Sequence, residues 1–216
     1  MDAKPERPAP SDIYRARLLD AMLKTVPEKG WTRAAFDAAA VKAGLSAGEA
    51  TLACPNGFAD LMNAFGAKAA KAAEAQLSGT AGGGLKVRDR VAAGVRAYLA
   101  ALDPHKAAVR RAAGSPANLV TGPQAVWAAA DAIWAAMGDT STDANWYSKR
   151  LILSGVIAST LLVWLGTDDH AEIAAFLDRR IENVMEFEKN KKKAQDFLGG
   201  VPNPFEIPGA KLKPKS

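Results

Sequence analysis

The chain has one cysteine and two histidines, and no stretch alternates apolar and polar residues among β-branched neighbours. Each shortage excludes something. With Cys54 alone there is no internal disulfide and no cysteine-based zinc cluster, which fits a reducing compartment. His105 and His170 lie far apart, and neither has a carboxylate or nucleophile at metal-site or triad spacing. The glycines of "AGGGLKVR" (81–88) lack the spacing of a phosphate loop. No catalytic residue, metal ligand or cofactor is therefore expected, and the chain reads as a non-enzyme. Strand signals are missing while alanine, the best helix former, abounds, so the fold class is all-α with about nine helices. The opening "MDAKPERPAPSD" contains no apolar stretch and reads as no secretory leader. The longest apolar run, Leu151–Gly166, includes Ser154, Ser159 and Thr160. At about 16 residues it falls short of the ~18–20 that a spanning helix needs, and it reads as a buried core helix.

Charge is present but unevenly placed. The whole chain carries +5. Seven lysines from Lys189 onward face only Asp196 and Glu206, so residues 1–188 sum to zero. The basic character belongs to the tail. A neutral body is a poor frame for a dedicated nucleic-acid binder.

Residues 1–10 hold three prolines and read as disordered. Ser11 or Asp12 begins a helix that Pro27 and Gly30 end, Thr32 caps a second, and Ser46 starts a short third. A fourth runs from Phe58 to Leu77, completing an N-terminal domain over 11–77. The glycine-rich "SGTAGGG" (78–84) is a linker. A second helical domain spans 85–198, with Pro123 in the first turn of a helix over 123–137 and Asp143 opening the long apolar helix. Asp168 or Asp169 opens the next. Residues 199–216 form a basic tail.

Residues 18–65 fall in register with the N-terminal domain of TetR-type transcriptional regulators, through the "EKGW" turn and the "AAAVKAGLS" helix. The third helix, "SAGEATLACP", departs from that family's DNA reader. Ala47 stands where lysine is usual, Glu49 where threonine is usual, Thr51 and Ala53 at the tyrosine positions, and Leu52 at the histidine position. A reading helix needs cations for phosphates and donors for base edges. This one offers a carboxylate instead. The segment is expected to be a degenerate helix-turn-helix without specific nucleic-acid binding, and a TetR-type regulator with a hydrophobic effector is the alternative reading.

Residues 138–185 carry Asp-x-Ser-Thr-Asp-x-Asn-Trp-Tyr, a basic pair two residues later, and Phe-Leu-x-x-Arg at 176–180. This pattern closely resembles the ubiquinone (coenzyme Q) biosynthesis accessory family of lipid-binding, TetR-like proteins. The resemblance implies an apolar cavity for isoprenoid quinone intermediates or other lipids, and no other cofactor. It further implies a homodimer, and a peripheral membrane contact on the cytoplasmic side of an inner membrane. It also implies a docking patch for the demethoxyubiquinone hydroxylase. Carried over, that patch contains Ile133, Asp143, Asn145, Trp146, Tyr147 and Arg150; Ala144 replaces a larger apolar residue usual there. The apolar helix that follows offers Leu151, Ile152, Val156, Ile157, Leu161, Leu162 and Leu165 as cavity-facing residues. Trp and Tyr are stiff and amphipathic, which suits interface anchors.

Overall fold

The structure, a computed structural model, describes residues 8–78, 86–142 and 144–197. Among them it is all-α, as expected. The helices are α1 (Pro10–Lys29), α2 (Arg33–Lys42), α3 (Ala47–Ala53), α4 (Phe58–Ser78), α5 (Val87–Leu102), α6 (Lys106–Ala113), α7 (Asn118–Ala136), α8 (Ala144–Gly166) and α9 (His170–Phe197). A single 3-10 turn, Asp103–His105, joins α5 to α6. Asp143, most of the linker and the basic tail lie outside the described residues.

Local chemistry accounts for most boundaries. Thr32 Oγ1 accepts from the Ala35 amide at 3.1 Å and starts α2. Ser46 and Glu49 form a reciprocal capping box at α3, which satisfies amides that the first turn leaves orphaned. Asp169 Oδ1 accepts from the Ala171 and Glu172 amides at 2.8 and 3.2 Å, fixing the start of α9. Gly30 and Gly44 follow α1 and α2 at φ of 68° and 65°, a region that costs other residues.

Two prolines sit differently from the sequence reading. Pro27 lies inside the last turn of α1 rather than ending it. Pro123 lies in the second turn of α7, which begins five residues earlier at Asn118. Near a helix start the missing proline N–H forfeits at most one ladder bond. The preceding "SPANL" segment closes short turns that carry the helix back to Asn118.

One continuous apolar core runs through the molecule. It includes Leu18, Met22 and Val26 of α1, Leu61 and Leu77 of α4, Val95 of α5, Ile157 and Trp164 of α8, and Leu177 of α9. Each fully buried Leu or Ile stabilises the fold by about 1.5–3 kcal/mol. The most extensive helix pair is α4 with α7, so α4 packs more on the C-terminal half than on α1–α3. Gly66 permits this approach: a Cβ there would lie 2.6 Å from Cβ of Ala125.

In the N-terminal segment, two arginines of α1 bond backbone carbonyls of the neighbouring helices. Arg15 Nε donates to the Ala53 carbonyl at 2.8 Å, and Arg17 donates to that of Ala43 at 2.5 Å. They satisfy the carbonyl ends of α3 and α2. Glu49 is held by Ser46, which keeps its carboxyl below the usual range. The exposed positions of α3 are Ala47, Gly48, Thr51 and Leu52, none of them charged. Cys54 is buried as a small hydrophobe, and burial pushes its thiol up.

Candidate functional site

An open cleft of about 600 Å³ separates the first part of α7 from α8, within the ~300–1,000 Å³ typical of ligand sites. From α4 come Met62, Phe65 and Gly66, and from α7 come Thr121, Pro123, Val126 and Trp127. Tyr98 and Leu102 of α5 and Val109 of α6 complete one side. The other side is a single stripe of α8: Leu151, Ser154, Gly155, Ala158, Leu161, Leu162 and Leu165. Steps of three and four residues place this stripe on one helix face. No Lys, Arg, Asp or Glu lines the cleft among the described residues.

This placement divides the expected lipid-facing residues. Leu151, Leu161, Leu162 and Leu165 are on the cleft wall. Val156 and Ile157 are not; they are 3% and 0% exposed and face the core. Ile152 is half-buried and also off the cleft wall. The reading of α8 as a buried core helix needs the same correction. Leu151 and Leu162 stay 67% and 72% exposed, because one face of the helix packs and the other borders open space. The helical, apolar stretch is also longer than the run read from sequence. From Asn145 to Gly166 it is long and apolar enough to cross a membrane by length and composition, with a third of that window buried.

At one end of the cleft stands an aromatic cluster. Trp127, on the cleft wall, meets Trp146 at 5.8 Å and Tyr147 at 6.3 Å between ring centroids. Trp146 and Tyr147 meet edge to face at 4.7 Å, a geometry that ring quadrupoles favour. Tyr147 is 65% exposed and Trp146 is half-buried. The pair thus crowns the apolar helix because it forms the rim of the cleft.

The polar part of the motif holds that rim in place. Asp139, with a side chain 4% exposed, accepts from Lys149 Nζ at 2.7 Å, from Ser141 Oγ at 2.8 Å and from Arg150 at 3.0 Å. Arg150 also bonds Asp131 at 2.5 Å and the Trp146 carbonyl at 3.3 Å, and its guanidinium lies 4.1 Å over the Trp146 ring. Such a stacked cation over an aromatic face is attractive. Trp134 Nε1 donates to the Lys149 carbonyl at 3.2 Å. The loop between α7 and α8 is thereby clamped to both helices.

Two expected docking residues are consequently interior. Ile133 is fully buried, packed beside Gly94, and offers no surface to a partner. Arg150 is 3% exposed and spent on its two carboxylates and Trp146. Asn145 and Tyr147 are exposed as expected. Trp127 was missed by sequence reasoning, since nothing in its own neighbourhood tied it to Trp146; only the fold joins them.

The clamp has a pH signature. Hydrogen bonds from Lys149, then Ser141 and Arg150, hold the Asp139 carboxyl far below the usual carboxylate range. A depressed folded value means stability that is complete above the unfolded pKa near 4 and is lost as pH falls through the folded value. Asp139→Asn should therefore flatten the acid limb of unfolding free energy against pH below about 4. Denaturant titrations across that range check this, and an unchanged limb would remove Asp139 from the account.

These features define an all-α protein with an open apolar cleft and an aromatic rim clamped by one buried ion pair and two half-exposed ones. The COQ9 family model matches residues 119–188, which covers α7, α8 and most of α9. The resemblance to the ubiquinone biosynthesis accessory family is thus borne out over the segment that builds the rim and one cleft wall. The chain is 29% identical over 185 residues to "Ubiquinone biosynthesis protein COQ9, mitochondrial" of Drosophila melanogaster, covering 82% of this chain and 57% of that protein. The protein of that name from Rattus norvegicus is 27% identical over 194 residues, 83% of this chain and 61% of its own length. That from Xenopus tropicalis is 36% identical over 72 residues, 32% and 23% respectively. The chain spans about three-fifths of the length of the relatives it matches most broadly.

Proposed function

We propose that this protein is a non-enzymatic accessory of ubiquinone biosynthesis. It holds an isoprenoid quinone intermediate or another lipid in the cleft and engages the demethoxyubiquinone hydroxylase through Trp146 and Tyr147. The observation that carries this reading is the junction of cleft and rim: Trp127 belongs to both. Apolar walls without a charged residue suit a hydrocarbon chain, each buried CH₂ contributing about 0.8 kcal/mol. An exposed Tyr beside a half-buried Trp is the composition of an interface anchor.

The homodimer and the peripheral membrane contact implied by the resemblance belong to the same proposal. Met185 and Phe187 of α9 are 50% and 65% exposed just ahead of the lysine run, and apolar side chains beside lysines favour an anionic surface. The relatives are mitochondrial by name; for this chain the proposal is a place at the surface of a ubiquinone-producing membrane.

Mass spectrometry of an organic extract of the purified protein tests the cleft. Quinone or lipid at near-stoichiometric amount is the expected result, and an empty extract from cells rich in both would overturn it. Tyr147→Ala should leave helical circular dichroism and stability unchanged within about 0.5 kcal/mol, as for exposed sites. Trp146→Ala should cost roughly 1 kcal/mol, because the guanidinium loses its ring. Both should weaken hydroxylase capture and lower ubiquinone output. Normal capture by both variants would remove the rim from the docking role.

A further inference from the structure

The cleft is apolar but not featureless. Tyr98 of α5 is 2% exposed and forms part of its wall. Among the described residues none hydrogen-bonds its hydroxyl, and burial alone pushes the phenol up to about 12. It is therefore a protonated donor throughout the physiological range. Ser154, on the α8 wall, has a buried Oγ with no partner. Thr121, Ser159 and Thr160 each turn back to the carbonyl four residues earlier; Ser154 does not. A single χ1 rotation brings such a hydroxyl to a new acceptor.

Buried hydroxyls without partners cost stability, and native proteins rarely keep them. Ser154 Oγ is such a group, and together with the Tyr98 hydroxyl in the same cleft wall, which no described residue bonds, it directs attention to an acceptor that is not part of the chain. The absence of charged side chains on the wall narrows its chemistry. A phosphate or carboxylate drawn inside would lose water without gaining a counter-charge. A neutral oxygen loses little.

We propose that Tyr98 and Ser154 are the recognition pair for ring oxygens, carbonyl or hydroxyl, of a neutral aromatic or quinone head carried on a hydrocarbon chain. This rests on the reading of the cleft as a lipid site and adds which part of the ligand is recognised, and by which groups.

Tyr98→Phe deletes one oxygen and keeps the ring. Because the hydroxyl is unpaired, the ligand-free variant should melt at the same temperature as the parent or slightly higher. Binding of decyl-substituted benzoquinone and of decylbenzene is measured by equilibrium dialysis on the delipidated full chain. The parent should prefer the quinone. Tyr98→Phe and Ser154→Ala should each weaken quinone binding about three- to tenfold, the worth of one hydrogen bond, and leave decylbenzene unchanged. An unaltered quinone preference in both variants, or a lowered melting temperature of ligand-free Tyr98→Phe, would overturn the pair while leaving the cleft a lipid site. No binding of either compound by the parent would overturn the lipid reading and the pair together. Tighter binding of a single-chain phosphate lipid than of the quinone would overturn the neutral head.

Discussion

Arg150→Met should lower the unfolding free energy by about 3–5 kcal/mol, the usual cost of removing one partner of a buried ion pair. Arg150 is the only residue that forms ion pairs with both Asp131 and Asp139 among the described residues. Asp139 is the more sensitive of the two carboxylates, with a side chain 4% exposed against 47% for Asp131. Methionine fills much of the same space but supplies no donor, so Asp139 would keep only Lys149 and Ser141. The Trp146 ring would lose its stacked guanidinium and the Trp146 carbonyl its donor. Urea unfolding of the parent and variant measures the difference. Arg150→Lys should recover only part of it, because an ammonium cannot reach two carboxylates in a fixed fork. A loss under about 1 kcal/mol would mean that the clamp is a surface-like pair of little worth.

The second large effect concerns the cleft. Gly155 sits mid-way along the α8 stripe, and a Cβ built there meets nothing within 4 Å. Gly155→Trp should therefore project a large ring into open space rather than into the core. Removing glycine from a helix interior also favours the helix by up to about 1 kcal/mol. We expect a stable, fully helical protein whose organic extract holds at least roughly tenfold less lipid, the loss that forfeiting about 1.4 kcal/mol of burial brings. Trp146 and Tyr147 lie two and more turns away on the same helix, so hydroxylase capture in the absence of ligand should persist. Undiminished lipid in the extract would show that ligand binds elsewhere.

Much of this fold was legible because helix caps are local. Thr32, Ser46 and Asp169 announced their helices. Along α1 and α9 apolar residues recur at helical spacing; Leu18, Met22 and Leu177 among them are buried, whereas Ile13 and Met185 are half exposed. The cleft was less legible. In α8 nearly every position is apolar, so no periodic signal separates the core face of Val156 and Ile157 from the open face of Leu151 and Leu162. Met62, Phe65 and Tyr98 have the spacing of ordinary core residues, and only the meeting of α4, α5 and α7 makes them a wall. The motif of residues 139–150 was visible but served two purposes at once. Its aromatic members form the rim, whereas Asp139, Ser141, Lys149 and Arg150 hold it. A surface role for Arg150 was what the family resemblance implied, and burial reversed it.

Helix α8 is fastened at each extremity. The clamp secures its beginning; near its end Trp164 donates to Asp103 at 3.2 Å, Arg110 to the Leu165 carbonyl at 2.8 Å, and Lys106 to the Thr167 carbonyl at 2.7 Å. A strut tied at both ends cannot swing like a door. The spacing between it and the opposite wall is thus held from both ends of the helix, with the cleft-facing stretch from Leu151 to Leu162 suspended between the two ties.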